Sequence, residues 1–222
     1  ERSISMFGRD FEINFYDEEL EALVNRERDI VEALQWIAAD EQTGDQLFLQ
    51  FQPILHLNND QICGFEALAR LKTEKLGLVS PLEFIAVAEK TKLIIPIGEK
   101  IIIKAFQFLN KLKEYGYDEN CVSINISVIQ LLNPDFPSRL FELIDTMQVN
   151  TKNIVLEITE SVFASDFEYI NNVLGKLRNA GLKIAIDDFG TGYSSLAREK
   201  ELAVDCVKID KHFIDNLLDP DL

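Results

Sequence analysis

The chain has 222 residues, of which 47% are apolar and 27% charged, and its net charge is −16. That apolar content supports one or two cores of ordinary globular size, and no apolar run approaches the roughly 20 residues a bilayer span requires. So acidic a surface excludes a holder of long polyanions, whose phosphates need clustered Lys and Arg, and no DNA or RNA polymer is expected as a partner. Cys63, Cys121 and Cys206 each stand in an apolar, strand-like run without a near partner. Buried free thiols and a reducing, cytoplasmic setting are therefore expected, whether the parent protein is free or membrane-anchored with this part inside. His56 and His212 are the only imidazoles, too few for a histidine-built metal site or a Ser-His-Asp triad. With no initiator Met and an abrupt end at Asp221-Leu222, the chain is expected to be a piece of a longer protein.

Residues 1–15 carry no clear period. Tyr16 to Ala39 reads as an amphipathic helix, with Asp17 placed to cap it and apolar residues such as Leu20, Leu23, Val24, Ile30 and Leu34 at helical spacing. A helix of this kind packs on its own domain, joins two domains, or pairs with a second copy. Asp40 to Asp45, containing Gly44, is a polar break. Leu47 to Leu57 and Gln61 to Leu71 are apolar strands joined by the short Asn58-Asn59-Asp60 turn, so the second returns antiparallel. Pro81 to Lys90 and Ile97 to Tyr115 are helices, the latter stopping at Gly116. Thereafter strand and helix alternate: Cys121 to Ser127, Phe136 to Met147, Ile154 to Thr159, Phe167 to Ala180, Lys183 to Asp187, Ser194 to Glu201, Val204 to Ile209 and His212 to Leu218.

Such alternation means parallel pairing with right-handed crossovers, hence an α/β barrel or a doubly wound sheet. No Gly-rich phosphate turn follows an early strand, which lowers the dinucleotide-binding alternative. The expected fold class is α/β, a TIM-like (β/α)8 barrel with a reversed first strand. A full barrel takes about 250 residues, so its last two strand-helix units are expected to be absent from this chain.

Polar residues fall at or near the carboxyl-terminal tips of these strands: Glu66, Asn125, Glu157, the pair Asp187-Asp188, and Lys208. In a barrel those tips share one face, where the chemistry of such folds sits. Each residue alone is as well explained by a salt bridge, a cap or a turn; their joint occurrence is not. Successive strand side chains point to opposite faces, so Asp187 and Asp188 converge only if the strand gives way there to the Gly190-Thr191-Gly192 loop. Carboxylates and an amide, without Cys or His, suit Mg²⁺ or Mn²⁺ better than Zn²⁺ or copper. Acids so crowded repel one another unless about two divalent cations are shared among them, and a two-metal site suits in-line attack on a phosphoester. Lys208 is placed to orient or deprotonate a water, or to neutralise developing charge, and the sequence leaves these roles open.

Glu66-Ala67-Leu68-Ala69-Arg70, Asn125-Ile126-Ser127, Glu157-Ile158-Thr159-Glu160-Ser161, Asp187-Asp188-Phe189-Gly190-Thr191-Gly192-Tyr193-Ser194-Ser195-Leu196 and Lys208-Ile209-Asp210 stand in that order. Gln52-Pro53-Ile54 and Pro81-Leu82-Glu83-Phe84-Ile85 accompany them. From about Leu47 to the chain end, this set resembles the signature motifs of the EAL domain family, the bacterial cyclic di-GMP phosphodiesterases. The resemblance implies hydrolysis of cyclic di-GMP to linear pGpG with two Mg²⁺ or Mn²⁺ ions per site. It implies that Glu66, Asn125, Glu157, Asp187 and Asp188 bind metal, that Lys208 and Glu66 are catalytic, and that Gln52 and Arg70 contact substrate. Glu160 would brace the loop from Phe189 to Ser195, which couples dimerisation to activity. Phe7-Gly8-Arg9-Asp10 and Phe15-Tyr16-Asp17 look like the tail of a GGDEF domain and its linker. The implied organisation is a GGDEF-like tail over 1–15, a linker helix over 16–46 and an incomplete EAL domain over 47–222, with a homodimer and an upstream sensor or GGDEF domain as partners. The family also supplies a Glu and a Gln from its last two strands, and nothing after Lys208 matches them. A silent cyclic di-GMP receptor and a dimerising regulatory scaffold are the competing readings.

Overall fold

A computed structural model of the chain describes residues 2–6, 9–13, 18–189, 202–209 and 211. The expected helices Ser194 to Glu201 and His212 to Leu218, the Asp17 cap and the Gly190-Thr191-Gly192 loop lie outside those residues. The stretch without a period contains two short strands, β1 (Arg2–Met6) and β2 (Arg9–Ile13), paired antiparallel. Helix α1 (Glu18–Ala38) follows. Its carboxyl half buries Ile30, Ala33 and Leu34, whereas Leu23 is 64% and Val24 51% exposed. The stripe predicted for one helix is thus divided between a packed half and an apolar half facing outward.

β3 (Gln46–His56) and β4 (Gln61–Thr73) form the predicted antiparallel hairpin, with Asp60 in the left-handed conformation at the turn. β5 (Gly77–Val79) folds back on β4, a strand too short for any period to announce. Then come α2 (Pro81–Lys90), α3 (Ile94–Glu114), β6 (Cys121–Asn125), α4 (Val128–Leu131), α5 (Phe136–Met147), β7 (Ile154–Thr159), α6 (Phe167–Asn179), β8 (Lys183–Phe189) and β9 (Cys206–Ile209). α3 begins three residues before its predicted start, because Pro96 falls in the first turn, where its missing N–H has no helical partner to lose.

The main sheet runs β3-β4-β6-β7-β8-β9, with β5 on β4. β3 is antiparallel to β4, and every later neighbour on the path is parallel. The reversed first strand is therefore present in an α/β, TIM-like barrel wall, whose edges among the described residues are β3 and β9. Central strands are covered on both faces, as parallel sheets require: Ile184, Ala185 and Ile186 are each at most 1% exposed. α3 lies against β3 and β6, α2 against β4, and α6 against β8. Gly64 permits the first parallel contact, since a Cβ there would meet the Cys121 carbonyl oxygen at 2.9 Å.

The cysteines are free, but the expectation that they are buried is corrected: Cys63 and Cys206 are exposed and Cys121 is half-buried. Cys63 belongs to the part of the hairpin that runs past β6, whose pairing with β4 begins at Gly64. Cys206 opens β9, which has a neighbour on one side only among the described residues. No helix among the described residues is long and apolar enough to cross a membrane.

Candidate functional site

Parallel register aligns the strand tips. Asn125 stands beside Glu157, and Thr159 beside Asp187, so a step along the sheet is also a step along the rim. From β9, Lys208 Nζ reaches back across it, donating to Glu157 Oε2 at 2.7 Å and to Glu66 Oε2 at 3.2 Å, with Asp187 Oδ1 at 3.1 Å. Around that ammonium, carboxylate oxygens of Glu66, Glu157 and Asp187 lie within 4.8 Å of one another. Asn125 Nδ2 donates to Glu66 Oε1 at 3.2 Å, which joins the amide to the group.

Glu157 is 2% exposed and Lys208 is half-buried. Burial pushes the Glu157 carboxyl above the usual carboxylate range; Lys208 opposes this and the Glu66 charge adds to it. Burial works against the Lys208 charge too, but hydrogen bonding and attraction from Glu157, then Asp187, outweigh it and raise its pKa. The ammonium is what makes so close a set of acids tolerable.

Asp187 and Asp188 do not mark the end of a strand. β8 continues to Phe189, and between Ile186 and Phe189 its pairing with β9 shifts by one residue, a bulge at the aspartate pair. Asp188 takes the left-handed conformation, which Asp tolerates better than most residues, and its N–H donates to Asp187 Oδ1 at 3.0 Å. The bulge lets Asp187 face the rim while Asp188 is exposed beside it; the acids sharing the 4.8 Å cluster are Glu66, Glu157 and Asp187.

Gln52 on β3 stands opposite Glu66 on β4 in register, and it is exposed. Arg70 is half-buried; its Nε donates to Gln50 Oε1 at 2.8 Å and its Nη1 to the Ala69 carbonyl at 2.9 Å. No carboxylate among the described residues pairs with it. Glu160 opens a 3-10 turn after β7 (Glu160–Ala164), while positions 190–195 of the loop assigned to it lie outside the described residues. A groove of about 620 Å³ adjoins the rim, bounded by Arg70, Leu82, Ile85, Glu89, Asn125 and Glu157. A second cavity, of about 540 Å³, lies at the opposite ends of the strands beside Cys121, Asn153 and Lys183. Volume hardly separates the two; the converged charges do.

The sequence reading missed the residues that hold the Asn125 tip. Ser127 is not in strand but caps α4: its Oγ accepts from the Ile129 N–H, and Gln130 Oε1 accepts from the Ser127 N–H at 3.1 Å. Ser127 Oγ also donates to Glu89 Oε1 at 2.6 Å, and the Ile126 N–H donates to the Glu157 carbonyl at 2.8 Å. The signal was present as Ser127-Val128-Ile129-Gln130, the spacing of a capping box.

Clustered carboxylates with an amide beside them, and no thiol or imidazole among the site side chains, are a hard oxygen set that fits Mg²⁺ or Mn²⁺. Fold and rim together define a barrel protein with a cluster of acids that could hold a cation, at or near the carboxyl ends of β6, β7 and β8, whereas Glu66, expected at a strand tip, lies midway along β4. The family model for the EAL domain matches residues 36–221. The chain belongs to the EAL domain family.

It is 39% identical over 170 residues to the Escherichia coli K12 protein named probable cyclic di-GMP phosphodiesterase PdeB, which covers 76% of this chain and 32% of that protein. It is 33% identical over 204 residues to an uncharacterised signalling protein of Caulobacter vibrioides, covering 91% and 24% respectively. The chain thus spans a quarter to a third of the length of these relatives. Among solved structures it superposes on the PaMucR phosphodiesterase in complex with c-di-GMP with a TM-score of 0.77 at 31% identity, covering 86% of this chain and 76% of that one.

Proposed function

We propose that this chain is the hydrolytic part of a cyclic di-GMP phosphodiesterase that yields linear pGpG. The observation that carries the reading is the convergence of Glu66, Glu157 and Asp187 to within 4.8 Å around Lys208 Nζ. Relatives and neighbours named for cyclic di-GMP support the substrate. Glu66, Asn125, Glu157, Asp187 and Asp188 would hold two Mg²⁺ or Mn²⁺ ions, which when bound polarise the phosphodiester and ease ionisation of water. Water adds to phosphorus and the bond to the ribose 3′ oxygen breaks, leaving a 5′-phosphate and a free 3′-hydroxyl. Lys208, whose Nζ stands among these acids, donates hydrogen bonds to the attacking water and to the charge that develops on phosphate. Arg70, with no acid claiming it among the described residues, offers its planar donors to the non-reacting phosphate, and Gln52 stands across the strand pair from Glu66. The groove, at about 620 Å³, is of the size that holds a nucleotide, with apolar walls for a purine face.

Residues 1–15 are read as the tail of an upstream GGDEF-like domain, 16–46 as the linker and 47–222 as the EAL unit. Exposed Leu23 and Val24 on α1 support a contact beyond this unit, with the upstream domain or with a second copy in a homodimer. The deciding experiment incubates the full-length protein with cyclic di-GMP and Mg²⁺ or Mn²⁺ and follows pGpG. Turnover that chelation abolishes is expected; binding without turnover replaces the enzyme by a receptor.

A further inference from the structure

α2 presents three faces to three different surroundings. At about 100° per residue, Leu82, Ile85, Ala86 and Glu89 fall on one stripe, and these line the groove beside the carboxylates. Phe84 and Ala88, both 0% exposed, fall on a second stripe and enter the core. Glu83, Val87 and Lys90 fall on the third, which meets α1. There Arg26 makes a two-pronged contact with Glu83, Nε to Oε1 at 2.5 Å and Nη2 to Oε2 at 2.8 Å, and Lys90 Nζ donates to Glu27 Oε1 at 2.5 Å.

The same helix reaches the rim by a second route. Glu89 accepts the Ser127 hydroxyl, and Ser127 is two residues past Asn125, whose amide touches Glu66. α2 therefore stands between the helix that precedes the barrel and both the groove wall and the rim.

We propose that Arg26 and Glu83 are positioning residues: their ion pair sets the seat of α2, and through it the groove wall at Leu82 and Ile85 and the Glu89 hold on Ser127. The proposal rests on the groove being the dinucleotide site. Side chains of the pair are 40% and 33% exposed, so it adds little to global stability, while its forked geometry fixes direction as well as distance. A change in the seat of α1 is thereby passed to the groove without any contact between α1 and substrate.

The test uses the full-length protein and compares wild type with Arg26→Met, with Glu83→Gln, and with the exchanged pair Arg26→Glu plus Glu83→Arg. Lys90→Met serves as an independent variant at the same seam. Each single variant is expected to raise KM for cyclic di-GMP roughly two- to tenfold, with thermal midpoint and Mn²⁺ affinity by paramagnetic resonance within error of wild type. The exchanged pair is expected to recover most of that loss. Unchanged KM in both Arg26→Met and Glu83→Gln overturns the proposal, as does a loss that the exchange leaves unrepaired. A wild-type protein that neither binds nor cleaves cyclic di-GMP overturns the functional reading and this proposal with it; an active wild type with indifferent variants overturns this proposal alone.

Discussion

Lys208 balances the charge of the rim, and two effects of removing it can be told apart. Lys208→Met leaves Glu157, 2% exposed, with its carboxylate beside those of Glu66 and Asp187 and no cation among them. In metal-free protein this should lower unfolding free energy by on the order of 2 kcal/mol, since stripping one partner from a buried charge group strands the others. Added Mn²⁺ should restore much of that stability but not the turnover, which should fall at least about a hundredfold because the donor proposed for the water is gone. Equal turnover in the variant and wild type would remove Lys208 from the mechanism. At this scale the sequence singled out the residues that meet at the rim, but not the bulge that sets Asp187 among its acids and leaves Asp188 exposed beside them.

At the scale of elements, the Asn125 tip depends on how α3 meets α4. Gln130 is 3% exposed and lies against Gly98 of α3, so close that a Cβ there would run into its carboxamide. Helix propensity alone would favour Gly98→Ala by about 1 kcal/mol, but overpacking typically costs about 1–3 kcal/mol and should win. A lower urea midpoint together with a reduced kcat/KM is expected, because displacing Gln130 opens the Ser127 capping box; a stabilised variant would contradict this packing. β9 is tied in differently. Asp205 Oδ1 accepts from Arg178 Nη2 at 2.7 Å and Oδ2 from the Ile184 N–H at 2.9 Å. Burial tends to raise the Asp205 pKa, but Arg178 and that N–H outweigh it and hold the group below its usual value. A depressed folded pKa adds stability above the unfolded value of about 3.9, and that stability is lost as pH falls through the folded value. Asp205→Asn should therefore be less stable than wild type at pH 7, with a smaller gap in a titration below about pH 3.9. A gap unchanged between those two urea titrations would rule out the ionised carboxylate as its source.

For the whole molecule, the expected response to metal is a stability shift. Ligand at 100 times its dissociation constant stabilises a folded protein by about 2.7 kcal/mol, so Mg²⁺ or Mn²⁺ should raise the thermal midpoint by several degrees and chelation should reverse it. An unmoved midpoint in Glu66→Gln together with a normal shift in wild type would tie the effect to the rim; no shift in wild type would count against a metal site. Much of this architecture was legible in the order of residues. Pro81 to Lys90, Phe136 to Met147 and Ile154 to Thr159 have the bounds that their periods predict. The strand alternation gave the parallel path, because period and turn chemistry are local properties that a short window contains. Glu66, Asn125, Glu157 and Lys208 stood out as polar interruptions of apolar runs for the same reason. What only tertiary structure decided were the distances: which oxygens share the Lys208 ammonium, the bulge that parts Asp187 from Asp188, the exposure of the cysteines, and the third face of α2. Those depend on register and on groups 51 and 142 positions apart meeting at Lys208, and no window along the chain holds both ends of such a contact.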